Sequence, residues 1–237
     1  MRQESTEDLT TSIISSSKKI MKLLERDNIK LSEVDNYHLY PIADNDTPML
    51  SSDRLEYSLS NSFLIHGLID INKVFEIYDD IEILVNENNE MELGFKTIKI
   101  CEEFVSITSK LSILYRDDKT RYSMQFLADI IKLLNNDGLI KKDDLYNLKE
   151  SEIINLISNS KYKDVFKFWK NSKHVNVSSK KPQKVYFVHH GAKIRYIDPL
   201  CSGDRISKIS INAKDDISNN LSYDMNNYVY LDFHLDM

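Results

Sequence analysis

The chain has 237 residues, 41% of them hydrophobic and 29% charged, with a formal net charge of −6. That length and mix support a buried core in one domain, or one domain with an appendage, and exclude a disordered chain. The acidic total argues against nonspecific nucleic-acid binding, which needs a basic footprint, and no window reaches the roughly 18 apolar residues of a membrane span. Only 5 glycines and 4 prolines break the chain, so long, mainly helical elements are expected. Cys101 lies in a helical stretch and Cys201 in a late loop, without CxxC spacing. They suit a reducing cytosol and predict neither a disulfide framework nor a zinc site. The first residues lack a signal-peptide core, and their acids argue against a transit peptide. A soluble, cytoplasmic protein is the expectation.

Residues 5–27 read as an amphipathic helix, with Leu9, Ile13, Ile20, Leu23 and Leu24 near one face and Ser5 or Thr6 as cap. A polar loop ends in YPIADNDTP (Tyr40 to Pro48), whose prolines and short side chains predict an ordered turn. A second helix starts at Ser51 or Ser52 and stops at Gly67, and a short one follows from Asp70 to about Tyr78. A hairpin is expected near 82–95, where Ile83 and Val85 precede an Asn-rich turn and Met91, Leu93 and Phe95 alternate after it. Long helices fit 97–115 and 119–136, and shorter ones 142–148, 150–158 and 162–171, the last anchored by Phe166, Phe168 and Trp169. Composition changes after residue 172. SSKKPQK reads as a linker, and KVYFVHH, KIRYID and NYVYLDFHL as β-like runs. The expected organisation is a helical region over 1–172 and a small β-rich C-terminal appendage over 173–237.

The stretch DNDTPMLSSDRLEY carries the most chemical information. On a helix, Asp53, Tyr57 and Asn61 recur every four residues and share one face. That face offers a carboxylate oxygen for a metal, a phenol and an amide, with Arg54 and Glu56 beside it. The same residues also make a solvated helix face with Asp53 in the first turn, favourable to the helix dipole.

YPIADNDTPMLSSDRLEYSLSN, ILVNENNEMELGF and KIRYIDPL resemble the C-terminal portion of a bacterial group of HD-domain phosphohydrolases. The D-R-L-(D/E)-Y pattern resembles that of relatives of the deoxynucleotide triphosphohydrolases. The resemblance implies a helical HD-like body. It also implies a divalent transition metal (Mn, Fe or Ni), held by an early His, a His-Asp pair and a later Asp, that activates water and polarises a phosphoryl oxygen. By resemblance Asp53 matches the later Asp. Arg54 and Tyr57 match positions facing the sugar or phosphates of a nucleotide, and Asn61 lies one turn further on. The implied substrate is a phosphate ester or nucleotide.

The sequence departs from that pattern, for none of its 6 histidines forms a His-Asp pair. The early His and the His-Asp pair lie upstream of the matched region in the family, so Met1 reads as an internal or late start. The chain is expected to lack a complete metal site, and the catalytic residues are unknown. His189 and His190 are adjacent, which on a strand points them to opposite faces. His66 suits a helix end, Asp44 and Asp46 suit turn chemistry, and the lysines of SSKKPQK and KIR suit solvation or a phosphate contact.

Three functions follow. The first is an HD phosphohydrolase lineage with catalysis in an intact longer form. The second is a noncatalytic binding or oligomerisation module, as a homo-oligomer or paired with a separate HD segment. The third is a truncated gene product. The missing upstream helices should leave an apolar surface exposed on the first two helices here, so that the chain dimerises, swaps or aggregates.

Overall fold

The structure is a computed structural model that describes residues 9–235. In chain order the elements are α1 (Thr10–Ser16), α2 (Lys18–Arg26), α3 (Ser52–Ser60), α4 (Ile71–Asp79), β1 (Ile81–Val85) and β2 (Met91–Phe95). Next come α5 (Ile98–Leu114), α6 (Asp118–Asn136), α7 (Glu150–Ser158), α8 (Lys163–Asn171), β3 (Asn176–Ser178) and β4 (Phe187–Val188). The chain then forms β5 (Leu200–Cys201), β6 (Asp204–Arg205), α9 (Ile206–Ile209), α10 (Ile211–Leu221) and β7 (Tyr228–Tyr230). The protein is mainly α with small sheets, as the scarcity of glycine and proline predicts.

The chain divides into two compact units. One runs up to Thr108 and takes in Tyr196–Ile217; the other is Ser109–Arg195 with the chain from Ser218 onward. The linear division at residue 172 expected from composition is not the one the contacts make. Nor is the tail a β-rich appendage: its longest element is the 11-residue helix α10, and its strands contribute to both units.

In the first unit the predicted helix over 5–27 is two helices, with residues 5–8 outside the described range. Ser17 is extended and its hydroxyl accepts from Ile20 N, restarting the chain as α2. Ser51 caps α3 by accepting from Arg54 N at 3.3 Å. The helix runs on through a π turn at Asn61–Ile65 and ends at Gly67, whose φ of +59° suits a residue without Cβ. Asp70 caps α4 at Lys73 N. The hairpin is antiparallel with Val85 opposite Met91. Its turn is closed by Asn86 Oδ1, which accepts from Asn88 N and Glu90 N. Strand β2 also pairs in parallel with β5, giving a sheet ordered β1-β2-β5-β6. Gly94 permits that pairing, since a Cβ there would lie 2.7 Å from Leu200 O. Leu50, Leu55, Leu59, Ile77, Phe95 and Phe104 are among the core residues of this unit.

In the second unit Asp117 caps α6 at Thr120 N, and Gly138 ends it at φ +72°. Tyr122, Phe126, Ile130 and Leu134 recur at fourfold spacing and are all fully buried. Phe126 meets Trp169, Tyr186 and Phe233 with ring centroids 5.4 to 5.8 Å apart, a spacing and tilt that favour aromatic pairs. A second sheet is ordered β3-β7-β4. The predicted strand in KIRYID does not form.

Candidate functional site

The three stretches singled out in the sequence meet in the first unit. Thr47 Oγ1 donates to Tyr196 O (2.5 Å) and Asp198 N to Pro48 O (2.9 Å), which joins YPIADNDTP to KIRYIDPL. Leu50 N donates to Glu92 Oε1 (3.0 Å) and Leu93 N to Leu50 O (3.3 Å), which joins the turn to the hairpin. Gly94 and Phe95 face Leu200 and Cys201 across the parallel pair. Arg205, 5% exposed, ties the hairpin to KIRYIDPL, and its partner Glu92 holds the turn through Leu50 N. Arg205 Nη1 donates to Glu92 Oε1 (2.7 Å) and Asp198 O (3.0 Å), and its Nη2 to Glu92 Oε2 (2.9 Å). Sequence reasoning missed this pair. Glu92 sits in an alternating strand that reads as half solvated, and its partner is 113 residues away.

This framework sets the start of α3. Ser52 N and Asp53 N donate to Ile42 O (2.8 Å) and Ala43 O (3.1 Å). Arg54 reaches back to the loop, with Nη1 donating to Asn45 Oδ1 and to Met49 O (2.8 Å) and Nη2 to Asn45 O. Asn45 Nδ2 in turn donates to Pro41 O (2.9 Å) and Leu50 O (3.1 Å). Both terminal nitrogens of Arg54 therefore donate to the turn. Asp44 Oδ1 accepts from Asn45 N, which is turn chemistry.

Asp53 is exposed in the first turn of α3, while Tyr57 and Asn61 are half-buried, the latter at the start of the π turn. The three keep their fourfold spacing, yet they do not line the cleft beside this helix. A cavity of about 670 Å³ is walled instead by the neighbouring stripe of α3 and by α4 and the hairpin. Its lining includes Leu55, Glu56, Leu59, Phe63, Val74 and Tyr78. The polar stripe and the groove thus occupy different parts of one helix surface.

The donor set required by the implied metal does not fit the described residues. Among the described residues no three or more His, Cys, Asp or Glu side chains stand close enough to hold a metal ion. A lone carboxylate cannot replace two imidazoles and a second carboxylate. His189 Nε2 lies 2.9 Å from Asn226 O and its ring stacks on Tyr228, whereas His190 meets Gly191 O and Gln125 Oε1. The adjacent imidazoles therefore serve different partners. His66 follows the π turn, its backbone N donating to Asn61 O. Cys101 and Cys201 are free and buried, and burial pushes both thiols up. Cys201 lies in β5 rather than in a loop.

Among the described residues no helix is long and apolar enough to cross a membrane. No protein-family model matches the chain, and neither a curated protein nor a solved structure is significantly similar to it.

Proposed function

We infer that the chain belongs to the lineage of HD-type phosphohydrolases, works in the cytoplasm, and supplies the later metal-ligand carboxylate, Asp53, without completing the metal site itself. The observation carrying this reading is the convergence described above. The three stretches that bear the resemblance lock into one framework, and that framework fixes the first turn of α3 with Asp53 exposed on it. In this reading Arg54 is a positioning residue, and Tyr57 and Asn61 extend the wall that a phosphate ester or nucleotide would face. The remaining donors would come from outside the described residues. No chemical step is assigned to this chain alone.

Metal analysis of the purified protein tests this directly. The expected result is no stoichiometric Mn, Fe or Ni and no phosphatase activity that depends on Asp53. Bound metal together with activity lost on Asp53→Asn would overturn the incomplete-site reading. The DNA upstream of the Met1 codon tests the lineage, which an H…HD pattern in the same or a shifted frame would support.

A second reading, a noncatalytic binding or oligomerisation module, is favoured by the apolar groove along α3. The two readings rest on different stripes of that helix.

A further inference from the structure

We propose that the groove between α3, α4 and the β1–β2 hairpin is filled by helix α2 of a second copy of this chain, each copy seating its α2 in the other. The inference rests on the groove and on the N-terminal helices, not on the Asp53 stripe.

The groove is apolar and open. Leu55, Leu59, Val74, Ile81 and Leu93 form its floor, and Phe63 and Tyr78 its exposed lip. The apolar surface continues onto Phe75, 59% exposed, and Tyr78 is 64% exposed. Exposed apolar surface of this extent around a cleft marks an interaction site. The segment that builds it is acidic, since residues 52–95 hold ten acidic side chains against two basic ones, and of these Glu56 lines the groove. Several of the ten are committed, such as Glu92 and Glu87 to Arg205 and Glu76 to Lys73. Glu56 in the lining and Asp79, next to the lining residue Tyr78, form no ion pair among the described residues.

Helix α2 has the complementary surface. Neither α1 nor α2 contains a buried residue. Ile20 and Leu23 form an apolar ridge at helical spacing and remain 39% and 41% exposed. Lys18, Lys19 and Lys22 lie on the same helix, with Glu25 and Arg26 in its last turn, and the three lysines form no ion pair among the described residues. An amphipathic helix laid in an apolar groove, with lysines reaching an acidic rim, is a recurrent recognition mode. A second segment is also basic: residues 161–195 hold ten basic side chains against one acidic. It satisfies the charge requirement, but it has no exposed helical apolar ridge like that of α2, so α2 is the occupant proposed. Reciprocal exchange gives a closed twofold dimer. Two dockings together bring a nine-residue helix toward the about 1,200–2,000 Å² that specific interfaces bury.

The full chain tests this by sedimentation equilibrium over micromolar concentrations. The expected species is a dimer. Leu23→Glu should weaken it about tenfold or more, the factor associated with one buried leucine side chain, without changing the circular dichroism of the monomer. Lys18→Glu with Lys19→Glu should also weaken it, and adding Glu56→Lys with Asp79→Lys should restore it. The geometry is read by disulfide trapping, because the native cysteines are fully buried. A Leu23→Cys chain mixed with a Tyr78→Cys chain should give a covalent heterodimer. A monomeric wild type would overturn the proposal. So would a Leu23→Cys, Tyr78→Cys double variant that closes within one chain. Dimerisation insensitive to Leu23→Glu but abolished by Lys180→Glu with Lys181→Glu would overturn it as well, in favour of the basic segment. None of these results depends on whether Asp53 ever meets a metal.

Discussion

Replacing Arg205 by methionine should unlock the framework that carries Asp53. Its guanidinium forms a two-point contact with Glu92, at 2.7 and 2.9 Å, with Arg205 5% and Glu92 0% exposed. Arg205→Met leaves the Glu92 carboxylate in the core with only neutral donors, Leu50 N and Asn86 Nδ2. Breaking a buried pair by removing one partner typically costs about 3–5 kcal/mol. The second carboxylate, Glu87, adds little because its side chain is 59% exposed. Pairing the change with Glu92→Gln removes the stranded charge, so the double variant should be more stable than the sum of the singles by about 1–3 kcal/mol. Urea denaturation followed by circular dichroism measures this. The single tryptophan, Trp169, lies in the other unit and reports on that unit separately. A loss below about 1 kcal/mol, or strict additivity with Glu92→Gln, would refute the claim that this pair locks the three stretches together.

Two further outcomes follow from the same geometry. Arg54→Lys keeps the charge but loses the fork that grips Asn45 and Met49. It should destabilise the first unit by about 1–3 kcal/mol and raise amide exchange at Ser52 and Asp53, whereas unchanged exchange there would mean that Arg54 does not hold the turn. In the second unit, Asp137 accepts from Tyr162 Oη (2.8 Å) and from Lys161 Nζ (3.0 Å), which together hold its carboxyl below the usual range. A depressed folded-state pKa contributes stability that is present above the unfolded value, about 3.9, and lost as pH falls through the folded one. Asp137→Asn should therefore flatten the acid limb of a Trp169-monitored stability curve, and an unaltered limb would exclude Asp137 as its source.

Several elements were legible because local chemistry dictates them. Ser51 and Gly67 bracket α3 and its π turn as cap and stop, and the Asn-rich turn places the hairpin. Other features were hidden by competition for backbone groups. The hydrophobic period runs through residues 5–27, yet Ser15 and Ser16 donate back to Ser12 O and Ile13 O, and Ser17 turns outward to cap a new helix. KIRYID has a strand's composition, but side chains take its carbonyls. Ser112 and Asn220 donate to Arg195 O, Thr47 to Tyr196 O, and Arg205 to Asp198 O. The candidate site was legible only in part. Fourfold spacing put Asp53, Tyr57 and Asn61 on one stripe. It could not show that the cleft opens on the adjacent stripe, because that depends on where α4 and the hairpin pack.

The two stripes of α3 separate the two functional readings by experiment. Completing a metal site at Asp53 needs histidines, and α2 (KKIMKLLER) has none. A second copy seated in the groove by its α2 therefore covers apolar surface without adding an imidazole from that helix. Dimerisation through α2 should leave metal affinity where it is in the monomer. A different occupant of the same groove, one carrying histidines, would compete with α2 and could raise metal affinity at the same time. Measuring metal binding at concentrations above and below the dimer transition separates the cases. Affinity that tracks dimerisation of the pure protein would mean that the second copy supplies donors by some other surface, and the assignment of α2 as a purely apolar and electrostatic contact would fall.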